Sequence, residues 1–191
     1  DAKALEMAPR TWYEEHNIEL ITDERITAIH RVSKKVTTSK DLNYKYDYLV
    51  LATGSVPFVP NIPGVEKKGI FVYRTIEDLE AMLSYANTLK ATKSDQIKAA
   101  VLGGGLLGLE AAKAVMDMGF EPHVVEFAPK LMPRQLDTRA SKVLQEKIES
   151  LGIHVHLSKA TNKILGDDTI TGMEFGEYDK IDVEMLVVSA G

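Results

Sequence analysis

The spacing of apolar and polar positions changes several times along the chain, and each change marks a structural element. In the first third the apolar runs are short and rich in Val, Ile, Thr and Tyr. Ile18 to Thr22, Ile26 to Arg31, Lys35 to Thr38 and Tyr46 to Ala52 each read as a strand, with the polar stretch Ser39 to Asn43 as a turn. A short helix is expected ahead of them over Ala8 to Glu15, with Pro9 in its first turn, where a missing N–H has no partner to lose. The run YDYLVLATGS is apolar almost without alternation, the pattern of a strand covered on both faces, and Gly54 then turns the chain. Pro57, Pro60 and Pro63 restrict Val56 to Gly64 to extended backbone, which suits a crossing between domains, and the boundary is expected near Tyr73.

Beyond Tyr73 the period lengthens to that of helices alternating with strands. Thr75 with Asp78 three residues on forms a capping box, so a helix is expected from Ile76 to about Leu89, followed by a loop over ATKSDQ. From Lys98 the order is strand, glycine turn, helix, strand: KAAVLGGG, LLGLEAAKAVMDMG, PHVVE, a βαβ unit. The apolar face of its helix is formed by Leu107, Ala111, Ala114, Val115 and Met118. A further helix is expected from a cap at Asp137 or Thr138 to Gly152, with Val143, Leu144, Ile148 and Leu151 inward and Lys142, Glu146, Lys147 and Glu149 outward. Short strands separated by the GDD and FGEY turns complete the chain. It opens on Asp1 rather than Met and stops at VVSAG inside what reads as a buried strand, so it is expected to be a piece of something longer.

Composition narrows the chemistry. The 191 residues carry 23 Lys+Arg against 28 Asp+Glu, a net charge of −5, and 45% are apolar, too many for a disordered chain. Mild acidity with scattered basic residues argues against binding nucleic acid or an anionic membrane. The most apolar stretch, Ala99 to Phe120, is interrupted by Glu110, Lys113 and Asp117 and falls short of the ~20 apolar residues of a membrane span. There is no cysteine, which removes disulfides, thiolate nucleophiles, thiolate zinc sites and cysteine-held iron–sulfur clusters, so redox chemistry has to rest on a bound cofactor.

One motif supplies such a site. Gly103-Gly104-Gly105-Leu106-Leu107-Gly108 satisfies G-x-G-x-x-G, directly after a strand and opening a helix, and the next strand ends in Glu126, 23 residues past Gly103. Gly103 allows a tight turn, Gly105 a close backbone approach to a pyrophosphate, and Gly108 close packing of helix on sheet. The helix start at about Leu106 and Leu107 presents unpaired N–H groups to the same place. Glu126 would accept from the adenosine ribose hydroxyls and repel a 2′-phosphate, favouring NADH over NADPH, with Lys130 and Arg134 nearby to soften that preference. The alternative is a tightly packed strand–turn–helix without ligand, in which Glu126 is a solvated charge.

YDYLVLATGS, PFVPNIPG, VLGGGLLGLEAA and VVEFAP together resemble the pyridine-nucleotide flavoprotein oxidoreductases, and the resemblance covers essentially the whole chain. It implies an α/β fold, with a Rossmann-like NAD-binding domain over 73–191 inserted in a partial FAD-binding domain with a β-meander over 1–72. Within the family, LMPRQLD with GGGLLGLEAA is most similar to the NADH-binding part of assimilatory nitrite reductase large subunits, with rubredoxin reductases and NADH oxidases as close competitors. The resemblance implies hydride passing from NADH to FAD, FAD contacts at Thr53 and Gly54, and Glu110 near the nicotinamide and flavin rings or, equally, an ordinary helix carboxylate. Arg74 is a weaker candidate for holding cofactor at the domain junction. The FAD-pyrophosphate motif of the family would precede Asp1, and its ribityl-binding segment would follow Gly191. The implied partner is a downstream sirohaem and iron–sulfur centre of the parent protein, the implied location cytoplasmic, and the piece alone is expected to be inactive. The competing reading is a non-catalytic dinucleotide-binding or interaction module.

Other residues point to less. His154 and His156 alternate on a strand and share a face, but the sequence offers no third ligand at workable spacing, so no metal is expected. Asp167 and Asp168 read as turn formers rather than a calcium loop. Ser55 and Ser189 lack a triad setting, and Trp12 and Tyr13 read as packing residues.

Overall fold

The computed structural model describes residues 6–190 and divides into two compact units, Asp1–Ser55 and Val56–Gly191. In the first unit a helix, α1 (Arg10–Glu15), starts after Pro9, which caps it from outside rather than sitting in its first turn. An antiparallel meander follows, of β1 (Ile26–His30), β2 (Lys35–Thr38) and β3 (Asn43–Lys45) in that order. Trp12 packs its ring edge-on against Tyr13 and stacks on His16.

Two expected strands do not form. Ile18 to Thr22 and Tyr46 to Ala52 have no regular structure. A strand needs a neighbour paired along its length, and among the described residues neither run pairs with a strand, although Tyr46 N–H donates to Lys34 O. An apolar run signals a sheet face only when something covers it, and Tyr48 and Val50 stand 94% and 85% exposed.

The second unit begins earlier than the expected boundary at Tyr73. The proline segment packs onto it: Ile164 N–H donates to Pro63 O, Ile62 and Val65 join one of its cores, and β4 (Ile70–Val72) is a strand of its main sheet. After α2 (Ile76–Thr92) come β5 (Lys98–Leu102), α3 (Leu106–Asp117), β6 (Glu121–Val125), α4 (Thr138–Ser150) and β7 (His154–His156). Next are β8 (Lys163–Leu165), β9 (Gly172–Gly176), β10 (Asp179–Asp182) and β11 (Met185–Val188). The main sheet is wholly parallel in the order β4-β11-β5-β6-β7, and β8, β9 and β10 form an antiparallel sheet of their own. This is a Rossmann-like α/β arrangement. No described helix is long and apolar enough to cross a membrane.

Side chains of a strand alternate between faces, and the parallel sheet uses both. Ala99, Val101, Val124, Met185 and Val187 face the helical side with Met82 and Ala86 of α2 and Ala111, Ala112 and Val115 of α3. Ala100, Leu102, Val125, Leu186 and Val188 face the other way, onto Ile164, Met173 and Val183 around the small sheet. Burial on both faces explains why these strands read as unbroken apolar runs.

The expected helices are present with three adjustments. α2 has the full capping box, Thr75 Oγ1 accepting from Asp78 N–H and the Asp78 carboxylate accepting from Thr75 N–H, and it runs on to Thr92. α4 is capped by Asp137, which accepts from Ala140 N–H; Leu144 and Ile148 reach the core, but Val143 and Leu151 remain exposed. On α3 the buried stripe is Gly108, Ala111, Ala112 and Val115, so Ala112 replaces Ala114 and Leu107 lies outside the core.

Candidate functional site

In the parallel sheet the chain moves outward from β5 through β6 to β7, then returns to lay β11 on the other side of β5. The reversal opens a crevice at the carboxyl ends of these strands, the usual ligand position in open α/β sheets. A cleft of about 240 Å³ lies there, lined by residues from the ends of three strands: Leu102 and Gly103, Val125 and Glu126, Ser189 and Ala190.

The three motif glycines do different work. Gly103 has φ +119, and a Cβ there would stand 2.7 Å from Ser189 O, so both conformation and space demand glycine. A Cβ at Gly108 would lie 1.9 Å from Gly103 O; its hydrogen lets α3 press against the turn. Gly105 differs from both. Its backbone is ordinary extended chain at φ −80, and a Cβ there would meet nothing within 4 Å. The protein's own packing gives no reason for glycine at this position, which borders the cleft at the start of α3. No side chain caps that helix start, so its first N–H groups are left for something else.

Glu126 is fixed by the turn it faces. Its carboxylate accepts from Gly104 N–H at 2.6 Å and from Ala128 N–H at 2.7 Å. A carboxylate offers about four acceptor positions, so two remain for a ligand hydroxyl. The LMPRQLD run closes the rim: Met132 N–H donates to Gly104 O, Ser141 Oγ–H donates to Leu131 O, and Pro133, Arg134 and Gln135 line the cleft. Lys130 is engaged elsewhere, its ammonium donating to Leu136 O.

A second cleft, about 300 Å³, lies between the starts of α2 and α3 and is lined by Arg74, Leu107 and Glu110 among others. Arg74 and Glu110, singled out separately in the sequence, line this one cleft. Arg74 makes no ion pair among the described residues. Thr53 and Gly54 lie in the first unit, in exposed chain without regular structure, where Gly54 has φ +68. Sequence reasoning missed Phe127, Gln135 and Ala190 as lining residues. Phe127 and Ala190 follow strand ends, a signal usable only once β11 is known to lie beside β5, and Gln135 comes from the LMPRQLD loop between β6 and α4.

The family description "Pyridine nucleotide-disulphide oxidoreductase" matches residues 2–191. The chain belongs to the pyridine nucleotide-disulphide oxidoreductase family. Among curated relatives of this family, nitrite reductase [NAD(P)H] of Bacillus subtilis (strain 168) is 41% identical over 191 residues, covering 100% of this chain and 23% of the relative. The nitrite reductase (NADH) large subunit of Escherichia coli (strain K12) is 42% identical over 192 residues, covering 100% and 22%. The chain thus spans less than a quarter of the length of either. Among solved structures, the ferredoxin reductase for the CYP199A2 system from Rhodopseudomonas palustris superposes with a TM-score of 0.88 at 26% identity, covering 100% of this chain and 46% of that one.

Proposed function

We propose that the unit Val56–Gly191 binds NADH and forms the electron-input part of a nitrite-reductase-like flavoprotein. The observation that carries this reading is Gly105, a glycine with ordinary backbone angles and open space where its Cβ would be, at an uncapped helix start beside a cleft. A pyrophosphate fits that position: the first N–H groups of α3 donate to it, and the absent side chain lets it approach. Glu126, already oriented by Gly104 and Ala128, accepts from the adenosine ribose and repels a 2′-phosphate. Leu107 and Glu110 lie further along the same helix in the second cleft, where they wall the nicotinamide end together with Arg74.

Bound NADH supplies a hydride, for which the flavin of the whole protein is the acceptor. The chain's own residues position and exclude water; none is assigned an acid–base step. Thr53 and Gly54, the flavin contacts that the resemblance implies, stand exposed within their own unit. The relatives whose names include nitrite reductase support a downstream redox partner, which the resemblance implies is a sirohaem and iron–sulfur centre; this cysteine-free chain offers no thiolates for such a cluster.

Calorimetric titration of the chain with NADH and with NADPH tests this reading. NADH should bind at one site at least about tenfold more tightly, a difference of ~1.4 kcal/mol. Equal weak heats with both nucleotides would overturn it.

A further inference from the structure

Away from the dinucleotide cleft, strand pairing assembles a cluster that no stretch of sequence displays. Parallel β6 and β7 set His123 opposite His154 and Val125 opposite His156. Because alternate residues share a face, Glu121, His123, His154 and His156 all project from one side of the sheet, the side to which Val125 also contributes. They sit at its outer corner, since β7 is the last strand. The third ligand that sequence spacing could not offer to the His154 and His156 pair is therefore supplied by the neighbouring strand, and a carboxylate comes with it.

The geometry points to a site for a divalent first-row transition cation such as Zn²⁺, held by Glu121, His123 and His154. Glu121 Oε1 lies 3.1 Å from His123 Nε2 and 3.3 Å from His154 Nε2, and one ligand atom from each residue lies within 4.8 Å of the others. Bonds of about 2.0–2.2 Å in a tetrahedral site put ligand atoms roughly 3.4 Å apart. Two of the three edges already have that length. The third requires the His154 ring, stacked on His123 with centroids 4.6 Å apart, to turn its Nε2 toward the ion, and a side chain 55% exposed is free to do so.

The surroundings favour a cation. His156 Nε2 stands 3.0 Å from His123 Nδ1, so His123 can donate its Nδ1–H there and keep the Nε2 lone pair for metal, the outer-shell arrangement typical of ligating histidines. Lys159 faces His156 but is paired with Asp179, which offsets its repulsion of a cation. Two imidazoles and one carboxylate suit Zn²⁺ and its neighbours, whereas Mg²⁺ and Ca²⁺ want an all-oxygen shell. Three protein ligands leave a position for water, and the bound ion would join the edge strand to β6.

Zinc titration of chelator-stripped full chain, in competition with a chromogenic chelator, tests the site. One equivalent should bind with a dissociation constant of about 1 µM or tighter. His154→Ala and the near-isosteric Glu121→Gln should each weaken binding at least about tenfold while retaining the wild-type circular dichroism, since a lost ligand costs 1.4 kcal/mol or more. His30→Ala, in the other unit, should leave it unchanged. Absence of stoichiometric binding, tight binding that survives both site variants, or an equal loss in His30→Ala would each overturn the assignment.

Discussion

At the scale of single residues, the glycine-rich turn separates structural necessity from ligand accommodation. Gly108→Ala drives a Cβ into the Gly103 carbonyl and should cost about 3 kcal/mol in urea denaturation, the upper range for overpacking against a backbone that cannot yield. Glu126→Gln keeps an acceptor for one of the two backbone N–H groups but removes the negative charge. It should narrow the NADH-over-NADPH preference about tenfold in calorimetry, chiefly by strengthening NADPH binding. The motif residues were legible because their roles are local: turn, helix start and strand end lie within 24 positions of one another. Their separate roles are expected from the fingerprint, but the clearance at each position is not, since it depends on what the fold brings beside each Cα. Gly103 faces Ser189, 86 residues later and just past β11, and Gly105 faces open cleft.

Elements were readable where their signals lie within the element. The Thr75 and Asp78 capping box, the Asp137 cap and the left-handed Gly152 after α4 all fall where sequence rules put them. Replacing Asp78 by Ala removes the acceptor for both Arg74 N–H and Thr75 N–H, so α2 should lose about 1–2 kcal/mol, read as a lower urea midpoint with an unchanged m-value. Strands were readable only in part, because a strand is completed by its neighbour. Lys98–Leu102 and Glu121–Val125 found partners in the parallel sheet, whereas Tyr46 to Ala52, equally apolar, found none among the described residues and has no regular structure. The Glu121, His123 and His154 cluster was hidden for the same reason: the sequence shows period-2 alternation on one strand but not which strand lies alongside.

For the whole molecule, the division at Ser55 and Val56 gathers the parallel sheet, both of its cores and both clefts into one unit. A chain of residues 56–191 should therefore fold cooperatively and bind NADH within about threefold of the full chain; unfolding of that piece, or loss of binding with its fold intact, would show that the first unit completes the site. The central claim is that the space beside Gly105 is reserved for a diphosphate, and Gly105→Thr in the full chain isolates it. Threonine caps a helix start about as well as glycine and suits the extended backbone there, so stability should change by no more than about 0.5 kcal/mol. Calorimetry with NADH on that variant should show affinity reduced at least about tenfold. An undiminished NADH affinity in a folded Gly105→Thr chain would contradict the account.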